Sequence, residues 1–170
     1  MKSKVSMTWE YKNNFKSFYI LLHSNDFLTT FPLNNIFNFR NKLNKQYNLS
    51  DNWQVALCDI QLFIGDTVVA ENNVHVFCDI ITETQIGTTD EQLLRCIPIR
   101  ENDITRDWLI IDFQTKYYVP LKTTSLSEIG IRIETTAPVR TYSTEYLHRQ
   151  NKNTTLLLHF KKGAEHDRGQ

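Results

Sequence analysis

The sequence predicts an all-β protein built from two packed antiparallel sheets. Apolar residues recur with period two in segment after segment, the pattern of strands with one face in a core. Strand-like and helix-like segments do not alternate, so a parallel sheet with crossover helices is not expected. The connectors vary in length, and some, such as 63–73 and 135–153, are long enough to cross from one sheet to another.

The elements follow in order. Phe18, Tyr19, Ile20, Leu21, Leu22 and His23 form an aromatic and β-branched first strand. The stretch 36–43 reads two ways. Ile36, Phe39 and Leu43 fit a helical face, with Asn34 or Asn35 as its cap, while Phe37, Phe39 and Leu43 fit a strand. Its β surroundings favour the strand. At 53–62, Trp53, Val55 and Leu57 point one way, and Ala56, Cys58, Ile60 and Leu62 point the other. Apolar residues on both faces predict a central strand covered on both sides. Strands follow at 74–81 and 93–100. At 108–113, Leu109, Ile111 and Phe113 alternate with Trp108, Ile110 and Asp112. Ile129, Ile131 and Ile133 alternate with Gly130, Arg132 and Glu134, and this predicts that the three isoleucines face the core. The last strand is 154–161. Phe31-Pro32 and Ala137-Pro138 mark connecting regions.

Eight antiparallel strands with long crossovers predict a single jelly roll, an eight-stranded two-sheet sandwich. An immunoglobulin-like sandwich is the rival, but no pair of cysteines flanks Trp53 at its spacing. The expected organisation is a flexible N-terminal arm at 1–17, one jelly-roll domain at 18–162 and a flexible tail at 163–170.

Composition narrows the function. The 170 residues are enough for one domain with a real core. Lys plus Arg equals Asp plus Glu, giving a formal net charge of zero. A dedicated nucleic-acid binder needs excess cations to displace counterions from phosphate, so no specific nucleic-acid partner is expected. Neutrality also leaves little long-range repulsion between copies, which suits association. No apolar run reaches the roughly 20 residues of a membrane span, and the N-terminus lacks the apolar stretch of a signal peptide. The expected location is inside the producing cell, with no membrane partner. Cys58, Cys78 and Cys96 sit in apolar segments and read as reduced core thiols. Asn48 and Asn153 open glycosylation sequons, which read as plain surface loops.

Residue types that carry chemistry are present but unclustered. His23, His75, His148, His159 and His166 are scattered, with none at the i, i+2 or i, i+4 spacing of a ligand pair. Gly65, Gly87, Gly130, Gly163 and Gly169 make no phosphate-cradling loop and read as turns or bulges. A nucleophilic Cys-His pair is formally open, but the three cysteines fall in strands, where thiols are usually buried and inert. Asp59 and Asp79 each follow a cysteine in a Cys-Asp-Ile triplet. They read either as a carboxylate pair for acid-base work or as solvated strand residues, and the second reading is preferred. Basic residues interleave with aromatics at 37–45 and 116–122 and read first as solvated faces. The expectation is a protein that is not an enzyme, with no catalytic residue, no metal, no cofactor and no small-molecule substrate.

Three blocks carry a resemblance. They are Phe18-Tyr19-Ile20-Leu21-Leu22-His23-Ser24-Asn25, Phe31-Pro32-Leu33-Asn34-Asn35 and Trp53-Gln54-Val55-Ala56-Leu57-Cys58-Asp59-Ile60. Together they resemble the start of the minor capsid (penton) proteins of Polinton/Maverick elements and the related adintoviruses. Val76-Phe77-Cys78-Asp79-Ile80-Ile81, Gln85-Ile86-Gly87 and Leu93-Leu94-Arg95-Cys96-Ile97-Pro98 are similar to that family's middle block. Tyr118-Val119-Pro120-Leu121, Ile129-Gly130-Ile131-Arg132-Ile133 and Thr155-Leu156-Leu157-Leu158-His159-Phe160 are similar to its end. The likeness runs over 18–161. The chain departs from the family pattern at His23, where a proline is usual, and at Asn52, where a glycine is usual. It also departs in the loop 63–67 and in the glycine-free stretch 146–153. The resemblance implies a virion protein: a single jelly roll that forms a homopentamer at capsid vertices, beside a double-jelly-roll major capsid protein, with no enzymatic residues. The alternative is a ligand-binding jelly roll of lectin-like or cupin-like type.

Overall fold

The computed structural model describes residues 16–49, 52–64, 73–136 and 152–163. Eight long strands carry the fold: β1 (Ser17–His23), β2 (Asn38–Asn48), β3 (Trp53–Phe63), β4 (Asn73–Cys78), β7 (Leu93–Pro98), β9 (Trp108–Asp112), β11 (Ser125–Thr135) and β12 (Thr155–Lys162). Between them lie four short strands: β5 (Thr84–Ile86), β6 (Thr89–Glu91), β8 (Ile104–Thr105) and β10 (Val119–Pro120).

The pairing among the long strands is nested. The first pairs with the last (β1 with β12), the second with the seventh (β2 with β11), the third with the sixth (β3 with β9) and the fourth with the fifth (β4 with β7). One long antiparallel ribbon has been rolled up, with β3 joining β12 and β4 joining β11. The result is a six-stranded sheet of order β1-β12-β3-β9-β8, with β10 added on β3, and a four-stranded sheet of order β2-β11-β4-β7. The protein is an all-β, jelly-roll-like sandwich.

The core lies between the sheets. Ile129, Ile131 and Ile133 of β11 are all buried and face it, as their alternation predicts. Leu156, Leu158 and Phe160 of β12 face it from the other sheet. Each such side chain contributes about 1.5–3 kcal/mol on burial. At one flank, Phe18 of β1 stacks against Tyr47 of β2, with ring centroids 5.1 Å apart, and against Phe160, 4.8 Å away. This aromatic stack ties the two sheets together. At the other flank, the Arg95 guanidinium lies 3.7 Å above the Phe113 ring.

Several expectations need correction. The segment read as 36–43 is a strand, but it starts at Asn38 and runs to Asn48. The strand expected at 74–81 ends at Cys78, where a turn at Asp79 and Ile80 begins. The facing of β3 is not a single alternation. Leu157 pairs with Asp59 and Leu158 with Leu57, so Cys58 is an extra residue, a β-bulge. The bulge reverses parity, so that Trp53, Val55, Leu57, Ile60 and Leu62 all face the core. Ala56 and Cys58 are buried on the opposite face instead. Cys96 is exposed on the edge strand β7 rather than in the core. Asn48 closes β2 rather than lying in a loop.

The N-terminal arm expected at 1–17 lies mostly outside the described residues, although Ser17 already belongs to β1. The tail expected at 163–170 is described only at Gly163, whose N–H donates to the Asn52 carbonyl at 2.6 Å. Gly65, Gly169, His148, His166 and Ala137-Pro138 also lie outside the described residues.

Candidate functional site

A groove of about 430 Å³ lies on the outer face of the four-stranded sheet. The alternation that sends the β11 isoleucines inward sends Glu128, Gly130, Arg132 and Glu134 outward. Gly130 forms the floor, because a Cβ there would lie 2.5 Å from Asp79 Oδ2. The missing side chain lets Asp79 reach across the sheet. Its Oδ1 accepts the Gly130 N–H at 2.8 Å, and its Oδ2 pairs with Arg40 Nη2 of β2 at 2.8 Å. Arg40 also reaches Glu128 at 3.7 Å. On the other side of the floor, Arg132 pairs with Glu91 at 2.9 Å and with Glu134, and its guanidinium covers the Phe77 ring at 4.0 Å.

The rim is the turn Phe31-Pro32-Leu33. Two asparagines hold it. The Asn34 side chain pairs with the Arg40 backbone through both bonds, Nδ2 to the carbonyl and Oδ1 from the N–H, each 2.9 Å. Asn35 Oδ1 accepts the N–H groups of Phe37 and Asn38, the turn for which asparagine is suited. With its base anchored in this way, the turn leaves Leu33 89% exposed at the groove edge. The groove therefore offers paired charges and an apolar lip. It has the makings of a contact surface and holds no nucleophile with an activating base.

The outer face of the six-stranded sheet carries a second cluster. Tyr118 and His159 share a 2.6 Å hydrogen bond, and the Tyr19 ring stacks 4.3 Å from the imidazole. Lys116 donates to the Tyr19 hydroxyl at 3.3 Å, and Lys161 Nζ sits 3.6 Å above the Tyr118 ring. Burial, and then the charges of Lys116 and Lys161, hold His159 below its ordinary titration range.

The residues singled out in the sequence are dispersed. Asp79 belongs to the groove, while Asp59 lies on the other sheet, so the two form no acid-base pair. Asp59 instead has Asp112 as its cross-strand partner, and burial followed by that charge raises its carboxyl. No local motif announces this pair, because it exists only in the β3–β9 register. The β4–β7 register makes His75 the cross-strand partner of Cys96, while burial pushes the Cys58 thiol up, opposite to what a nucleophile needs. Burial pushes Cys78 up to about 12. His23 Nδ1 bonds Thr155 Oγ1 at 3.1 Å, and His75 meets the Phe77 ring edge-on. Among the described residues, no three His, Cys, Asp or Glu gather as metal ligands would. The two basic-aromatic stretches lie on different sheets, Arg40 and Lys42 in β2 and Lys116 before β10, and form no shared patch.

No protein-family model matches the chain, and no curated protein matches it. No helix among the described residues is long and apolar enough to cross a membrane.

Proposed function

We propose that this chain is a structural shell subunit, the vertex (penton) protein of a capsid, acting by self-assembly and by contact with a double-jelly-roll major capsid protein. The observation that carries the reading is the nested pairing of the eight strands together with the likeness of the strand sequences to the penton family. A rolled ribbon has unlike flanks, here β1 and β2 on one side and β7, β8 and β9 on the other. Unlike flanks are what a heterologous, ring-closing contact requires. The shell would be assembled inside the host cell, with five copies at each vertex. Each contact would bury on the order of 1,200–2,000 Å², and closure of the ring would add avidity to each pair.

The test is co-expression with the major capsid protein. Particles whose vertices carry this chain are the expected result. Particles whose vertices lack it would overturn the reading. The groove favours a second reading, a ligand-binding jelly roll without a capsid role. A monomer that binds a small ligand stoichiometrically, and never enters particles, would establish that one instead.

A further inference from the structure

Two lysines on the outer face of the six-stranded sheet lack a carboxylate partner. Lys116 gives one N–H to the Tyr19 hydroxyl at 3.3 Å, and the Lys161 ammonium rests 3.6 Å from the centre of the Tyr118 ring. Among the described residues neither forms an ion pair. An ammonium has three donors, and an aromatic face attracts its charge without accepting a full hydrogen bond. Both lysines therefore keep donors for an incoming acceptor.

His159 links the two. Its ring stacks 4.3 Å from Tyr19 and bonds through Nδ1 to the Tyr118 hydroxyl at 2.6 Å, so each lysine is one aromatic ring away. The residue is 9% exposed, and among the described residues its Nε2 makes no hydrogen bond. With Tyr118 donating to Nδ1, the neutral ring carries its proton on Nε2, a further donor. Burial first, and then both ammonium charges, hold the imidazole below its ordinary range. Cys58 of β3 also lies against His159, and burial pushes its thiol up. The carboxylates of this face stand one row further along, Asp59 opposite Leu157 and Asp112 beyond it, and neither pairs with a lysine.

We propose that Lys116, Lys161 and His159 form a binding site for a phosphate oxyanion on the outer face of the six-stranded sheet. A phosphate spreads its charge over several oxygens, which suits donors from three side chains better than the two oxygens of a carboxylate do. Tyr19 and Tyr118 hold the lysine heads in place beforehand, which lowers the cost of ordering two flexible chains on binding. Inorganic phosphate and the backbone of a single-stranded nucleic acid present the same chemistry, and the test separates them. The site goes beyond the penton reading and stands or falls without it.

Sodium phosphate is titrated into the full chain near neutral pH, with ionic strength held constant by chloride, and the ring resonances of His159 and His75 are followed by NMR. The His159 resonances should shift saturably, and its titration midpoint should rise in phosphate, because an adjacent anion favours the imidazolium. The His75 resonances, on the other sheet, should stay in place. Lys116→Ala and Lys161→Ala should each weaken binding by about tenfold, with unchanged melting because both lie outside the core, and Lys42→Ala on β2 should bind like wild type. A short oligodeoxythymidylate forms the second arm. Tight binding that phosphate displaces supports the site and assigns it to a nucleic-acid backbone, and binding of inorganic phosphate alone supports it and assigns it to free phosphate. No saturable His159 shift with either probe, an equal shift with chloride, or binding that both lysine variants retain in full overturns the site.

Discussion

Ile131 and Arg132 are neighbours in β11 with opposite surroundings. Ile131 is 1% exposed between the sheets, so Ile131→Asp would bury an unpaired carboxylate and should abolish folding, at a cost of about 4 kcal/mol or more. Arg132→Ala breaks half-exposed ion pairs and uncovers Phe77. It should cost about 1 kcal/mol in a denaturant melt. Gly130→Ala should displace Asp79, at about 1–2 kcal/mol, and the same change made in Asp79→Ala should cost close to nothing, which a double-mutant cycle measures. His159 adds a pH dependence. Its folded-state titration is lowered from the ordinary 6.5, so the unfolded chain binds the proton more readily. The stability it contributes is present above pH 6.5 and declines as pH falls below that value. His159→Gln should flatten the stability profile between about pH 7 and 5. Of the three thiols only Cys96 is exposed, so a thiol reagent should label one cysteine per native chain and all three after denaturation.

At the scale of the strand, the β3 bulge makes an unusual forecast. A deletion inside a central strand normally sends half of its core residues to the wrong face. Deleting Cys58 instead removes the extra residue and leaves Leu57 and Ile60 on one face, opposite Leu158 and Leu156. That deletion should keep a cooperative thermal transition, weakened by loss of the Phe113 N–H bond to the Cys58 carbonyl. Deleting Gly130 from β11, where the pairing from Glu128 to Arg132 is regular, turns either Ile129 or the Ile131 and Ile133 pair to solvent. No cooperative transition should remain.

On the scale of the whole molecule, the sandwich leaves two unlike flanks and two unlike outer faces. The outer face of the four-stranded sheet carries the ionic groove beside Leu33, while that of the six-stranded sheet carries the Tyr19, His159 and Tyr118 stack with its two lysines. With a formal net charge of zero, little long-range repulsion would oppose the self-assembly proposed above. Where that assembly relies on exposed ion pairs, it should weaken as salt is raised from about 0.1 to 1 M. Light scattering on the particles as salt is raised is the measurement.

The sequence by itself determined seven of the eight long strands, the all-β class and the inward face of β11, because period-two patterning is a property of each segment alone. The pattern of β2 by itself fits helix and strand alike, and only its surroundings favour the strand. The sequence also showed that Cys58, Cys78, Asp59 and Asp79 lie in or beside strands, but not what each of them touches. Tertiary structure decided everything that depends on a partner strand. The bulge at Cys58 exists only against β12, so it overrode the simple alternation read along β3. Asp59 met Asp112 and not Asp79 because register, not a motif, places them together. Cys96 is exposed because β7 is an edge. The groove needed Gly130, Asp79, Arg40 and Arg132 from two strands and a turn, and the β5–β6 hairpin needed strands too short and too polar to carry a periodic signal. Each of these is a non-local contact, and hydrophobic periodicity contains no information about which distant segment will lie alongside.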